Sequence, residues 1–166
     1  MVDPKWRSAI DSELKGLQDL KSYIEVKEER GMKVLRTQRI LDEKPDKTKK
    51  ARIVAFGNDQ RQGIDFISTW APTISAKAFR LLCAISARIN VAPKHIDVKQ
   101  AFLNAPLKEL IYVRPPPHLG KVGVVWKMQK ALYGLRQAGR EWYFLFQKLL
   151  KSLGSVCLIL TRVYFI

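Results

Sequence analysis

Asp97 is the residue on which chemistry would turn. It lies in the run His95-Ile96-Asp97-Val98, where polar and apolar side chains alternate as they do in a half-buried strand. A carboxylate at a strand end can face a cleft. It can equally cap the turn that follows, where Asp is common, and the spacing alone leaves both roles open. Two cations precede it. Lys50 and Arg52 open an apolar run that follows a lysine-rich loop, and alternate residues of a strand share a side, so both charges point the same way. Arg offers a bidentate fork for phosphate, although a solvated edge strand would carry the same pair. Other chemistry is thinly represented. His95 and His118 are the only histidines, and neither has partners at metal-ligand spacing, so a zinc site is not expected. Cys83 and Cys157 lie inside apolar runs and read as small buried hydrophobes.

The elements that would hold these residues can be traced from the N-terminus. Asp3-Pro4 is a helix entry, with Asp as cap and Pro in the first turn. Trp6, Ile10, Leu14 and Leu17 then form one helical face over residues 4–20. The opposite face, with Lys5, Arg7, Asp11, Glu13 and Lys15, reads as a solvated one of mixed charge. Tyr23–Val26 and Val34–Leu41 are strand candidates, residues 42–50 an exposed loop, and Ala51–Phe56 the next strand. Ser75 caps a helix over residues 76–90 whose apolar residues extend most of the way round, which predicts burial. The strand ending at Asp97 follows. Leu110–Arg114 and Gly123–Met128 are further strands, with a loop at residues 118–121. Trp142, Leu145, Phe146, Leu149, Leu150 and Leu153 mark a helix that Gly154 closes. Residues 155–166 read as one apolar strand.

Length and composition bound the partners. A chain of 166 residues can bury one core, or one core and a small lobe. Its 47% apolar content is that of a globular protein. The net charge of +15 is spread through the body of the chain. Residues 1–30 carry 6 basic and 7 acidic groups, residues 31–62 carry 9 and 4, and residues 63–166 carry 15 and 4. A polyanionic phosphate backbone suits such a surface. An anionic membrane surface or a ribosome would suit it too, but no single basic amphipathic helix of the membrane-binding type is present. No apolar run is long enough to span a bilayer and no signal core opens the chain, so an intracellular protein, cytoplasmic or nuclear, is expected.

Four stretches, in order, resemble the reverse transcriptases of Ty1/copia-type retrotransposons. The first is Lys50-Ala51-Arg52-Ile53-Val54-Ala55, with Gln60 and Gly63-Ile64-Asp65-Phe66 behind it. The second is Trp70-Ala71-Pro72-Thr73. The third, Asp97-Val98-Lys99-Gln100-Ala101-Phe102-Leu103-Asn104, is similar to that family's first catalytic-aspartate motif. The fourth is Lys130-Ala131-Leu132-Tyr133-Gly134-Leu135-Arg136-Gln137-Ala138, with Arg140 and Trp142 after it. Trp6, Ala9 and Glu13 also match the family's leading helix, and the resemblance reaches about Leu153.

The resemblance implies an α+β partial fingers–palm polymerase, with a small antiparallel sheet backed by helices. Residues 1–75 would form the N-terminal helix and fingers-like strands, and residues 76–166 a partial palm. Lys50 and Arg52 would point at an incoming triphosphate. Phe102 would pack beneath the sugar and exclude a ribose 2′-hydroxyl by shape, unless it is simply a core residue. Gly134 would let backbone approach the ligand, while Arg136 and Gln137 would reach phosphate or base edges. Gly139 stands where the family has Pro, which should loosen the entry to the next helix. Asp97 would be the catalytic and metal-binding carboxylate, with Mg²⁺ as cofactor and a primed RNA or DNA template and dNTP as partners.

One expectation runs against full activity. Nucleotide addition uses two Mg²⁺ ions about 4 Å apart, and Mg²⁺ takes hard oxygen ligands. The family draws two further carboxylates from an Asp-Asp hairpin beyond the fourth motif. This sequence has no Asp after Asp97, only Glu109 and Glu141. A reverse transcriptase fragment, inactive alone and completed by a missing half in another chain, is one expectation. A non-catalytic basic nucleic-acid-binding remnant is the alternative.

Overall fold

The computed structural model describes residues 4–94, 96–154, 156–158 and 163–165. The architecture is α+β, with small sheets and four α-helices among the described residues. Helix α1 (Pro4–Asp19) buries Ile10, Glu13 and Leu17, which its 3.6-residue period places on one face. Lys21, at a φ of +50°, reverses the chain, and Ser22 N–H closes on Leu17 O at 2.9 Å. Strand β1 (Tyr23–Lys27) then pairs antiparallel with β6 (Val124–Met128), from Tyr23 opposite Met128 to Lys27 opposite Val124. The ring of Tyr23 stacks on Trp126 at 4.1 Å. The sheet continues through β5 (Tyr112–Val113) to β2 (Val34–Leu35), in the order β1-β6-β5-β2. Its β2–β5 pair is parallel and the other pairs are antiparallel.

A separate hairpin joins β3 (Thr37–Glu43) to β4 (Lys49–Ala55). Along β4 the side chains of Ala51, Ile53 and Ala55 are buried, which leaves Lys50 and Arg52 on the alternate positions. The hairpin is tied to the rest of the chain by a parallel bridge between Val54 and Tyr133 and by Ala55 N–H donating to Tyr133 O at 2.8 Å. The core gathers Leu17 from α1, Leu35, Ile53, Val113 and Trp126 from the strands, and Leu103, Ile111 and Leu132 from between them. Short α3 (Ala101–Asn104) and long α4 (Ala138–Ser152) pack together beside it.

Several expectations need correction. Val34–Leu41 is not one strand: the chain breaks at Arg36, so β2 and β3 join different sheets. Arg36 is held at the break, its carbonyl accepting from Phe56 N–H at 2.9 Å and its guanidinium gripping Asp59 with two bonds of 2.8 Å. The expected loop 42–50 shrinks to a five-residue tip, because β3 and β4 pair out to Glu43 and Lys49. Residues 96–98 form no strand. Alternation fits a strand only when a neighbour supplies the hydrogen-bond ladder, and no described strand does so here. His95 and the Asp3 cap lie outside the described residues.

Helix α2 (Ala76–Arg88) forms where expected, with Ser75 Oγ accepting from Ala78 N–H at 3.2 Å. It is not buried. Only Ala78 and Ser86 are covered, whereas Phe79 and Leu81 are 54% and 59% exposed, and Cys83 is exposed too. An apolar circumference predicts burial only if neighbours surround it, and the described residues do not. The final stretch gives two short paired strands, β7 (Val156–Leu158) and β8 (Val163–Phe165), in place of one. The rest of it lies outside the described residues.

Candidate functional site

Tyr133 stands against Phe102 and within the electrostatic reach of Glu13, Arg52 and Asp97. Its ring lies 5.3 Å from that of Phe102 at a tilt of 54°. Burial pushes its phenol above the usual range; Glu13 and Asp97 add to the rise, and Arg52 opposes it. Arg52 lies on β4, Phe102 in α3, Glu13 on α1, and Asp97 in the irregular segment before α3. Lys50 is exposed one alternation away from Arg52.

Glu13 does not belong to a solvated face, contrary to the expectation from its mixed-charge neighbours. It is 9% exposed, because it stands three residues after Ile10 and four before Leu17, on the apolar side of α1. Its Oε2 accepts from Gln100 Nε2 at 3.2 Å, while Oε1 is buried and makes no close hydrogen bond among the described residues. Burial raises its pKa, against the pull of Gln100, the Ile53 backbone N–H, Arg52 and Lys50. Gln100 is held in the left-handed conformation (φ 49°, ψ 42°) at the entry to α3. Its amide crosses α1 at Gly16, where an added Cβ would sit 2.2 Å from Nε2. Gly16 and Glu13 thus receive Gln100, and Gln100 sets the start of the turn that carries Phe102. The spacing of Ile10, Glu13 and Leu17 could have marked Glu13 as inward-facing; Gln100 stands in the third resembling stretch, but no pattern there pairs it with Glu13.

Asp97 is exposed, and among the described residues it has no hydrogen-bond or ion-pair partner. It does not cap α3: Gln100 holds the N-cap position, and no side chain caps that helix. The cap role considered above is therefore set aside.

The fourth motif locks onto the first. Gly134 has a φ of +85°, and an added Cβ would meet Ala55 O at 2.1 Å and Val54 Cγ1 at 2.6 Å. No other residue lets the two backbones approach this closely. Arg136 donates from Nε to Gly57 O and from Nη2 to Asn58 Oδ1, both at 2.9 Å, yet its side chain remains exposed. Gln137 is 1% exposed and fully engaged. Its Oε1 accepts from Gln60 Nε2 at 2.9 Å, and its Nε2 donates to Asp65 O at 3.0 Å. Gln60 Oε1 in turn accepts from Arg136 N–H at 2.8 Å. Asp65 is itself buried and ion-paired with Lys33. Gln137 therefore braces the two motifs in this structure and offers no group to a base edge. Helix α4 has no side-chain cap, because its N-cap residue, Gln137, turns its amide to Gln60 and Asp65; at Gly139 an added Cβ would make ordinary contact with Ala71 at 3.5 Å.

The chemistry of this donor set does not fit a pair of Mg²⁺ ions. Among the described residues no three His, Cys, Asp or Glu side chains converge. Glu13 is turned into the α1–β4 contact, and Asp97 offers one carboxylate where a two-ion clamp needs several.

Residues 20–157 match the family model described as reverse transcriptase (RNA-dependent DNA polymerase). The chain is similar to the retrovirus-related Pol polyprotein from transposon TNT 1-94 of Nicotiana tabacum, with 34% identity over 87% of this chain and 11% of that polyprotein. It is similar to the Pol polyprotein from transposon RE1 of Arabidopsis thaliana, with 36% identity over 64% of this chain and 8% of the other. A truncated transposon Ty1-A Gag-Pol polyprotein of Saccharomyces cerevisiae shares 35% identity over 75% of this chain and 10% of its own length. The chain thus spans about a tenth of the length of these relatives. No solved structure gives a significant match.

Proposed function

This chain belongs to the reverse transcriptase (RNA-dependent DNA polymerase) family of copia-like polyproteins, and we propose that it forms the nucleotide-facing part of such a polymerase, able to bind but not to add nucleotides alone. The observation that supports this is the Phe102 ring set 5.3 Å from that of Tyr133, whose backbone is hydrogen-bonded to the strand that carries Arg52, with the charges of Arg52 and Asp97 felt at its phenol. A dNTP held there has its triphosphate toward Arg52 and Lys50 and its sugar over Phe102, with Asp97 at the cleft edge. Gly134 keeps the floor thin. Arg136 is exposed at the rim, where a guanidinium already oriented by Gly57 and Asn58 can still meet a phosphate oxygen. Gln137 acts through position: it fixes the 134–138 turn against Asp65.

In this reading residues 1–75 are fingers-like and residues 76–166 a partial palm. The division is one of function, since the four-stranded sheet takes β1 and β2 from one side of it and β5 and β6 from the other. A primed RNA or DNA template is the partner, inside the cell. The further carboxylates that Mg²⁺ chemistry requires come from polypeptide other than these residues. Among the described residues no helix is long and apolar enough to cross a membrane.

Anisotropy of a labelled RNA–DNA primer-template, titrated with the chain across a range of salt, tests this. Affinity should fall linearly in log–log form as counterion release diminishes. A flat response, or none at all, overturns the proposal.

A further inference from the structure

Between the first three turns of α1 and the closed end of the β3–β4 hairpin runs an open trough of about 600 Å³. Lys5, Ser8 and Ser12 line it from α1, at spacings that place them on one helical face. Lys47, Thr48 and Lys49 line it from the hairpin. The small Ala9 and Ala51 keep it from closing. The hairpin tip is ordered by its own backbone: Lys47 N–H donates to Lys44 O at 2.8 Å, Lys44 N–H to Thr48 O at 3.0 Å, and Thr48 N–H to Asp46 Oδ1 at 3.0 Å. Lys49 is fixed over the Trp6 ring, 4.8 Å from its centroid, and pairs with Glu43. Lys47 and Thr48 are exposed at the mouth. Glu13 is the acid of the lining, set against Lys5, Lys47, Lys49 and Lys50.

The lysines supply point charges and donors, and the hydroxyls can each donate one more hydrogen bond, against a single lining carboxylate, Glu13. They suit phosphate oxygens and read no base. Arg52 and Tyr133 are not part of this lining, whereas Glu13 and Lys50 are, so the trough adjoins the cleft that faces the nucleotide and extends beyond it to Lys5, Ser8 and Lys47. We propose that it carries the phosphodiester backbone of a nucleic-acid strand, an inference that rests on the chain being a template-binding segment. The strand is held here by charge and hydroxyl contacts alone and without sequence preference.

The test compares the unmodified chain with a Lys5→Gln/Lys47→Gln double variant in binding a fluorescein-labelled oligodeoxythymidine from low to high salt. Both lysines are exposed, and thermal melts check that the variant is folded. Losing two phosphate contacts should make the slope of log affinity against log salt shallower by about 1.4, at about 0.7 per contact on a single strand. Ser8→Asp is the second arm; it places a negative charge in the trough with every lysine kept, and should also weaken binding. Unchanged slope and affinity in both variants would overturn the trough and leave the broader function standing. No binding by the unmodified chain would remove that function and the trough with it. Inorganic tripolyphosphate separates the sources of phosphate. If the double variant loses tripolyphosphate binding but keeps the oligonucleotide slope, the trough serves a free polyphosphate and the proposal fails.

Discussion

Asp97 carries the polymerase resemblance, yet in this structure it stabilises nothing that can be identified. It is exposed, bonds to no described residue and caps no helix. Asp97→Ala should therefore leave the unfolding free energy within about 0.5 kcal/mol, as surface changes away from special features do. A loss near 1 kcal/mol, the usual cost of removing a cap, would return it to the capping role. Glu13 is the opposite case, a buried carboxyl that burial keeps protonated to higher pH than in the unfolded chain. Such a group favours the fold while protonated, and its contribution fades as pH rises from the unfolded value of about 4.3 through the raised folded value. Glu13→Gln is neutral throughout and keeps an oxygen for Gln100. Its melting temperature should exceed that of the unmodified chain at neutral pH, and the gap should close in acid below about pH 4. Melting curves that stay parallel across this range would show Glu13 to be ionised without penalty.

The contact of the β3–β4 hairpin with the fourth motif decides whether a cleft exists at all. Gly134 stands where β4 and the Tyr133 backbone touch, at a φ of +85° and without room for a side chain. Gly134→Ala adds left-handed strain of about 1–2 kcal/mol to a clash with Ala55 O. The chain should lose more than about 2 kcal/mol in denaturant unfolding and release the hairpin first. A loss of only a few tenths would mean that the two backbones part easily and that the cleft is not fixed. Elements with a clear period were legible in the sequence: α1, α2 and α4 each form close to their expected residues. Burial was not legible. The apolar circumference of α2 looked like a core helix, yet Phe79 and Leu81 face solvent, since burial belongs to neighbours that a periodicity does not name. The failed strand at residues 96–98 has the same origin, an alternating pattern without a ladder to join. The break at Arg36 has another: it depends on Asp59 and Phe56, more than fifteen residues away.

At the scale of the whole molecule, composition and motif order revealed the family, and the four resembling stretches, from Lys50 to Trp142, all lie inside the matched span of residues 20–157. What they could not reveal is how the motifs divide their labour. Gln137 read as a ligand residue but serves as a brace between Gln60 and Asp65, while Glu13 and Gln100, unmarked by any charge pattern, connect α1 to the turn that carries Phe102. The resulting assembly gathers cations and one free carboxylate without a second acidic pair among the described residues. A polymer of phosphates should therefore bind, and the chemistry of addition should stall for want of metal ligands. Primer extension tests this most directly: a 5′-labelled DNA primer on an RNA template, incubated with the chain, all four dNTPs and either Mg²⁺ or Mn²⁺, and resolved on native and denaturing gels. The account predicts a primer retarded on the native gel and unchanged in length on the denaturing one. Template-directed lengthening of the primer, even by a single nucleotide, would contradict it.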